Sequence, residues 1–372
     1  MLPPSADRPK LLAVLTQLSA AVEELLLSGL TTASDATRQT LSAAMQEAAR
    51  FRLLRLGSTL RTAMEELSRF TGHDPAFSRR RLTFFLSRAW LLSRGLAHAL
   101  QTVDEKQFDH LTWAPPVQPL PKVEVVCLGA VKKVAAGAFI AFEFRLRAVS
   151  DSPPVIAGQK LAWSAVFPLK AGVSIPPEGY LHLPQKQQFT PSILLERKKI
   201  AISSANIALD EAGNGRISLS DQSTVTLGQG FAEWEKFLEW STQPAVEKIR
   251  KHAPGPLNVD TELQEEVVLR DYSIDKPEEG EHPGHSTYPM KANGITYSGL
   301  VGPEAEGKTL GKNLDELRKL KKKPPPLYGL MHYERCRLAF QPLTTFHPEP
   351  EYITISKENI NKAALLKAMS FT

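Results

Sequence analysis

Apolar residues at Leu11, Leu15, Leu18, Val22 and Leu25 recur at alternating spacings of four and three, the stripe of an amphipathic helix that Gly29 can end. A second helix is predicted from Ser34 or Asp35 through Leu41, Met45, Ala48, Arg52 and Leu56, bending at Gly57 and Ser58 and ending between Thr71 and Pro75. A third starts near Ser78 and sets Leu82, Phe85, Leu86, Ala89, Leu92, Leu96 and Leu100 on one face. Residues 1–112 therefore read as a small antiparallel helical bundle.

The period then changes. Residues 1–112 hold four prolines and the remaining 260 hold twenty-four, so the helical regime stops there. Trp113–Lys122, WAPPVQPLPK, reads as an extended linker. Phe139–Val149 alternates cleanly, with Ile140, Phe142, Phe144 and Leu146 facing one way and Glu143, Arg145 and Arg147 the other. Val123–Leu128, Leu161–Phe167, Ile193–Ile202, Ile217–Leu219 and Thr224–Leu227 are further strands, followed by a helix over Phe231–Lys251. Residues 123–252 thus form a β domain with a terminal helix. Residues 253–327 read as a loop-rich charged segment, and residues 328–372 as C-terminal strands and a helix capped by Ser356. The fold class is α+β and multidomain: an antiparallel helical bundle, then a mostly antiparallel β sandwich or small barrel with a Pro/Gly-rich mixed C-terminal region.

Length and composition agree with more than one folded domain: 372 residues, 42% hydrophobic and 23% charged. Two cysteines, Cys127 and Cys336, make no disulfide framework, and the apolar run after the N-terminus is broken by Thr16, Gln17, Ser19, Glu23 and Glu24. A cytoplasmic protein without membrane insertion is expected. Charge is segregated along the chain. Arg50–Arg94 contains ten arginines against Glu65, Glu66 and Asp74, whereas Asp260–Glu281 has nine acids against Arg270 and Lys276.

Three strings invite specific chemistry. Gly302, Gly307, Lys308 and Thr309 fit the phosphate-loop pattern G-x-x-x-x-G-K-[ST]. Glu304 and Glu306 put negative charge inside such a cradle, so a solvated loop is the preferred reading. His282 and His285 with His332 and Cys336 offer zinc-type donors. On a strand, however, His332 and Cys336 lie roughly 13 Å apart at about 3.3 Å per residue, and a polar turn is preferred. Asp210–Asp221 resembles a calcium loop at several positions, but Ala212 stands where a ligand oxygen is needed and Asn214-Gly215 signals a hairpin instead. No G-x-S-x-G elbow or nucleophilic cysteine setting is present, and no cofactor is expected.

What remains are the arginines. Arg52, Arg55, Arg79, Arg80, Arg81 and Arg88 on the helices, and Phe139, Arg145 and Arg147 on one sheet face, have the composition of a phosphate-contacting and base-stacking surface of the OB type. The first reading is a non-enzymatic binding or scaffold protein acting through another protein. The alternative is a nucleic-acid-binding protein using the Arg-rich helices and an OB-like sheet face, and the third is a nucleotide- or metal-dependent enzyme. An acidic segment and a basic one in the same chain also allow internal shielding.

Overall fold

A computed structural model describes residues 2–356 except 31–34, 76, 113–116, 136–138, 170–174, 211–212, 239–244, 248–256, 258–263, 281–283, 303–306 and 335–336. The chain divides into two units, Met1–Pro116 with Pro254–Asn258, and Val117–Ala253 with Val259–Thr372. It is an α+β multidomain protein, its helices mostly N-terminal and its sheets mixed but mostly antiparallel.

In the first unit, α1 (Arg8–Ser28), α2 (Asp35–Arg50), α3 (Leu54–Thr71), α4 (Arg79–Thr102) and α5 (Glu105–Thr112) share one leucine-rich core. The stripe Leu11, Leu15, Leu18, Val22 and Leu25 is buried in it, and Gly29 ends α1 at φ 87°. Among the described residues α1 is the one helix long and apolar enough to cross a membrane. The single helix expected from residue 34 to 71 is two. The break falls at Arg52, whose φ is 54°, and not at Gly57. That glycine lies inside α3 facing Ala48 of α2, so its small size serves helix contact there. Ser78 caps α4, its hydroxyl accepting the Arg81 N–H at 3.2 Å.

The second unit opens with a closed barrel of β1 (Val117–Ala135), β2 (Phe139–Ala148), β3 (Lys160–Pro168), β4 (Lys198–Leu209) and β5 (Gly215–Gly230), in the order β1-β2-β3-β5-β4. All pairs are antiparallel except β3 with β5. This is the strand order of the OB barrel. Its interior is filled: Leu146, Trp163, Phe189, Ile202 and Val225 pack together there. The expected linker is corrected here, because Val117–Lys122 belongs to β1. Only β4 pairs with that stretch, and prolines are tolerated where one edge of a strand is unpaired. The hairpin expected at Asn214-Gly215 is the β4–β5 turn, where Asp210 accepts the Asn214 backbone N–H at 2.7 Å. Of the helix expected over Phe231–Lys251, a 3₁₀ turn at Trp234–Phe237 is seen; much of the rest lies outside the described residues.

The segment expected to be loop-rich contains a second barrel-like sheet. It comprises β6 (Glu265–Leu269), β7 (Ser273–Ile274), β8 (Glu278–Glu279), β9 (Ser286–Ala292), β10 (Ile295–Val301), α6 (Gly307–Arg318), β11 (Leu327–Glu334), β12 (Arg337–His347) and β13 (Glu349–Tyr352). The main path is β6-β11-β12-β10-β9-β7, with β10 and β12 parallel. Its two end strands, β6 and β7, are consecutive in the chain. Counted as one interrupted strand, they give the first barrel's order again, with α6 between the third and fourth strands. The helix expected after Ser356 lies outside the described residues.

The two barrels meet in an apolar seam. Val126, Leu128 and Val131 of β1 pack with Trp234, Val268, Tyr328, Leu330 and Leu343. Gly129, at a bulge in β1, permits this approach, since a Cβ there would stand 2.9 Å from the Tyr328 ring.

Candidate functional site

On β2 the even-numbered Ile140, Phe142, Phe144 and Leu146 turn into the barrel core, which sends Phe139, Ala141, Glu143, Arg145 and Arg147 outward. Strand pairing extends them into rows across the outer face. Phe139 lies opposite Pro168, Ala141 between Lys133 and Val166, Glu143 between Val131 and Ser164, Arg145 between Gly129 and Ala162, and Arg147 between Val126 and Lys160. Arg216 of β5 is paired beside Ala162. The three residues expected to share a face do share it.

They do not share an environment. Arg145 and Arg147 are 8% and 4% exposed, because β6 of the second barrel covers them. Arg147 pairs with Glu266, and Arg145 binds Glu143 and donates to Gln264 at 3.3 Å. Burial opposes the ionisation of Glu266, but the charges of Arg147, Arg145 and Lys160 outweigh it and hold the carboxyl at about 2. This correction to the expected phosphate contacts has a simple cause: two guanidiniums at a packed seam need carboxylates, and Glu266 of the acidic segment joins Glu143 of β2 in supplying them.

The other end of the same face is open. Phe139 is 39% and Val166 58% exposed, Lys133 is exposed beside them, and the side chains of Lys160 and Arg216 are partly exposed further down the face. Aromatic and aliphatic surface next to cations can stack a base and neutralise its phosphates. Lys133, Lys160, Val166 and Arg216 were not legible as site residues. They join Phe139 only through strand register.

The helical arginines are dispersed. Arg55 is buried and donates to the backbone carbonyls of His110 and Leu257. Arg81 and Arg69 both pair with the buried carboxylate of Glu66, while Arg88 is half-buried. Arg52, Arg79 and Arg80 are exposed. Arg52 precedes α3 and Arg79 follows it, and that 18-residue helix is about 27 Å long at 1.5 Å per residue. The arginines do not form one face.

Gly302 follows β10 and α6 begins at Gly307, whose N–H donates to the Gly302 carbonyl at 3.0 Å; residues 303–306 lie outside the described residues. Lys308 is exposed and Thr309 half-buried on α6. The second barrel's topology accounts for this strand-loop-helix order. Of the metal donors, His282 and Cys336 lie outside the described residues, His285 sits beside Gly280 and Gly302, and His332 is on β11 opposite Ala339. Among the described residues no three His, Cys, Asp or Glu side chains are grouped to hold a metal ion. Cys127 is buried, which pushes its thiol up to about 12, so it is a core residue.

No protein-family model matches the chain, and no curated protein does. Among solved structures, the chain is similar to the HINa domain of Ifi202 in complex with a 20-base-pair double-stranded DNA, at 12% identity and a TM-score of 0.27, covering 61% of this chain and 94% of that one. It is also similar to a replication protein A heterotrimer bound to single-stranded DNA, at 11% identity and a TM-score of 0.28, covering 68% of this chain and 52% of that one. At these scores the likeness carries no argument about this chain.

Proposed function

We propose that this is a nucleic-acid-binding protein whose contact surface is the outer β1–β2–β3 face of the first barrel. One observation carries the reading. On a barrel of OB strand order, the strand 2–3 face presents an exposed phenylalanine, Phe139, and an exposed valine, Val166, beside Lys133, with Lys160 and Arg216 further along. Base stacking on Phe139 supplies affinity that tolerates any sequence, and the cations follow the backbone. The protein-scaffold reading rests on exposed apolar residues of the helical unit, Leu27, Leu54 and Phe84, and ranks second.

The test is fluorescence anisotropy with a labelled single-stranded oligonucleotide over a salt series. Phe139→Ala weakens binding by about 5- to 150-fold, the equivalent of about 1–3 kcal/mol per stacked base. Lys133→Ala reduces the salt slope by about one, and Arg79→Ala with Arg80→Ala leaves affinity within twofold. Binding that ignores salt, or that the helical substitutions weaken and Phe139→Ala does not, overturns the proposal.

A further inference from the structure

The arginines of α3 and α4 taken together form no single face, but α4 alone carries an exposed surface that folding does not explain. Its core side is set by Leu82, Leu86, Ala89, Leu92, Leu96 and Leu100. At about 3.6 residues per turn, the opposite side runs from Arg80 through Phe84 to Arg88, each about one turn from the last, and continues with Leu91 and Arg94. Phe84 is 54% exposed. Arg80 and Arg94 are exposed, and Arg88 and Leu91 half-buried. The Phe84 ring stands edge-on to Phe85, 5.2 Å between centres, and Phe85 packs on the helical core. The exposed ring therefore has a fixed base.

The charges on this face are left over from folding. Arg79, Arg80 and Arg81 open α4 at the positive end of its dipole, and its first turn contains no acid, a placement that lowers helix stability. Arg81 is compensated by the buried carboxylate of Glu66, which it shares with Arg69. Among the described residues Arg80 and Arg88 pair with no carboxylate. Arg94 lies over the Trp90 ring at 5.9 Å from its centre, which leaves its own donors facing out. Guanidiniums one turn to either side of an exposed aromatic ring have the composition of a protein-binding hot spot.

From this arrangement we infer that the Arg80–Phe84–Arg88–Leu91 face of α4 docks an acidic amphipathic helix of a partner protein. The spacing selects a helix. Phe84 and Leu91 are seven residues apart, and beside them Arg80, Ser87 and Arg94 repeat at the same interval, which keeps one stripe turned toward a second helix over successive turns. Charge selects the sign. Carboxylates flanking the partner's own apolar stripe reach Arg80, Arg88 and Arg94, and a guanidinium holds a carboxylate through two parallel hydrogen bonds. A phosphate backbone would meet the arginines but would leave the apolar residues between them without a contact. The surface is separate from the barrel face and does not depend on the reading of that face.

The experiment uses the full chain and three labelled synthetic peptides of about three heptads. One has leucines at heptad spacing flanked by glutamates, one has the same leucines flanked by lysines, and one has the composition of the first in scrambled order. Fluorescence anisotropy is expected to show the acidic amphipathic peptide bound about 10-fold or more tightly than either control, with affinity falling as salt rises. Phe84→Ala should weaken that peptide about 30-fold, the scale of a hot-spot residue, and leave oligonucleotide affinity within about twofold of the parent. Arg80→Glu with Arg88→Glu should reverse the preference toward the lysine peptide, and the milder Arg80→Gln with Arg88→Gln should abolish the preference. Circular dichroism melts within a few degrees of the parent show that the variants are folded. Equal binding of the three peptides, no binding of the acidic one, or full affinity after Phe84→Ala overturns the inference. If Phe84→Ala weakens an oligonucleotide and not the peptide, the face belongs to nucleic acid and the inference falls in the same way.

Discussion

Glu266→Gln tests whether the seam between the barrels is held by its buried charges. The carboxylate is 6% exposed, it lies between Arg147 and Arg145, and its pKa drops from 4.5 to about 2 on folding. A difference of about 2.5 units at about 1.36 kcal/mol each gives roughly 3 kcal/mol of linked stability. The folded-state pKa is the lower one, so this stabilisation is fully present above pH 4.5 and is lost as the pH falls toward 2. Glutamine keeps the shape and removes the charge, leaving the buried Arg147 without its carboxylate and Arg145 with Glu143 alone, at an expected cost of about 3–5 kcal/mol at pH 7. Urea unfolding at fixed pH, followed by far-UV circular dichroism and by tryptophan fluorescence, to which Trp234 in the seam contributes, gives the two stabilities. The gap between parent and variant should shrink by roughly 3 kcal/mol between pH 5 and pH 2, because protonation does to the parent what the substitution has already done. A gap that stays constant across that range refutes the assignment of the low pKa to this carboxylate.

Two further outcomes follow from buried groups that do not touch the proposed ligand. Arg55→Ala removes the donor to the His110 and Leu257 carbonyls and should lower the stability of the helical unit by about 1–3 kcal/mol in a denaturant titration, with oligonucleotide affinity unchanged; a loss of affinity without a loss of stability would return Arg55 to the binding surface. Gly129→Ala drives a methyl toward the Tyr328 ring at 2.9 Å and Leu343 at 3.1 Å, so overpacking of the seam should cost about 1–3 kcal/mol. A neutral result in thermal melts would mean the barrels separate easily at that point.

The parts of the fold that could be read from the chain were those whose pattern is local. The α1 stripe and the α4 stripe are each set by one buried face, and every residue named for the α1 stripe is buried. Alternation in β2 told which residues enter the barrel. The helix break at Arg52 was missed because a left-handed arginine has no signature, while Gly57 has the look of a break and is in fact a contact. The second barrel was missed for another reason. Its first strand is split into β6 and the two-residue β7, and part of its outer face is buried by the first barrel. Strands covered on both faces lose alternation, and short ones leave too few positions to show a period.

The face proposed as the site was half legible on similar grounds. Period two is enough to place Phe139, Arg145 and Arg147 on one face, and that was correct. It carries no information about what lies above the face. Glu266 is 119 positions from Arg147 in the chain, and only the packing of one barrel on another brings them together. The segregation of charge did hold a clue, since an acidic stretch and basic ones in the same chain can shield each other internally. The arginines that the acidic stretch neutralises, however, are those of β2, inside a seam, where a carboxylate is obligatory. That inverts the usual inference from charge. A conspicuous pair of arginines on a sheet serves the packing of the seam, and the face proposed for a ligand keeps Phe139, which the alternation placed there, together with Lys133 and Val166, which only strand register brings beside it.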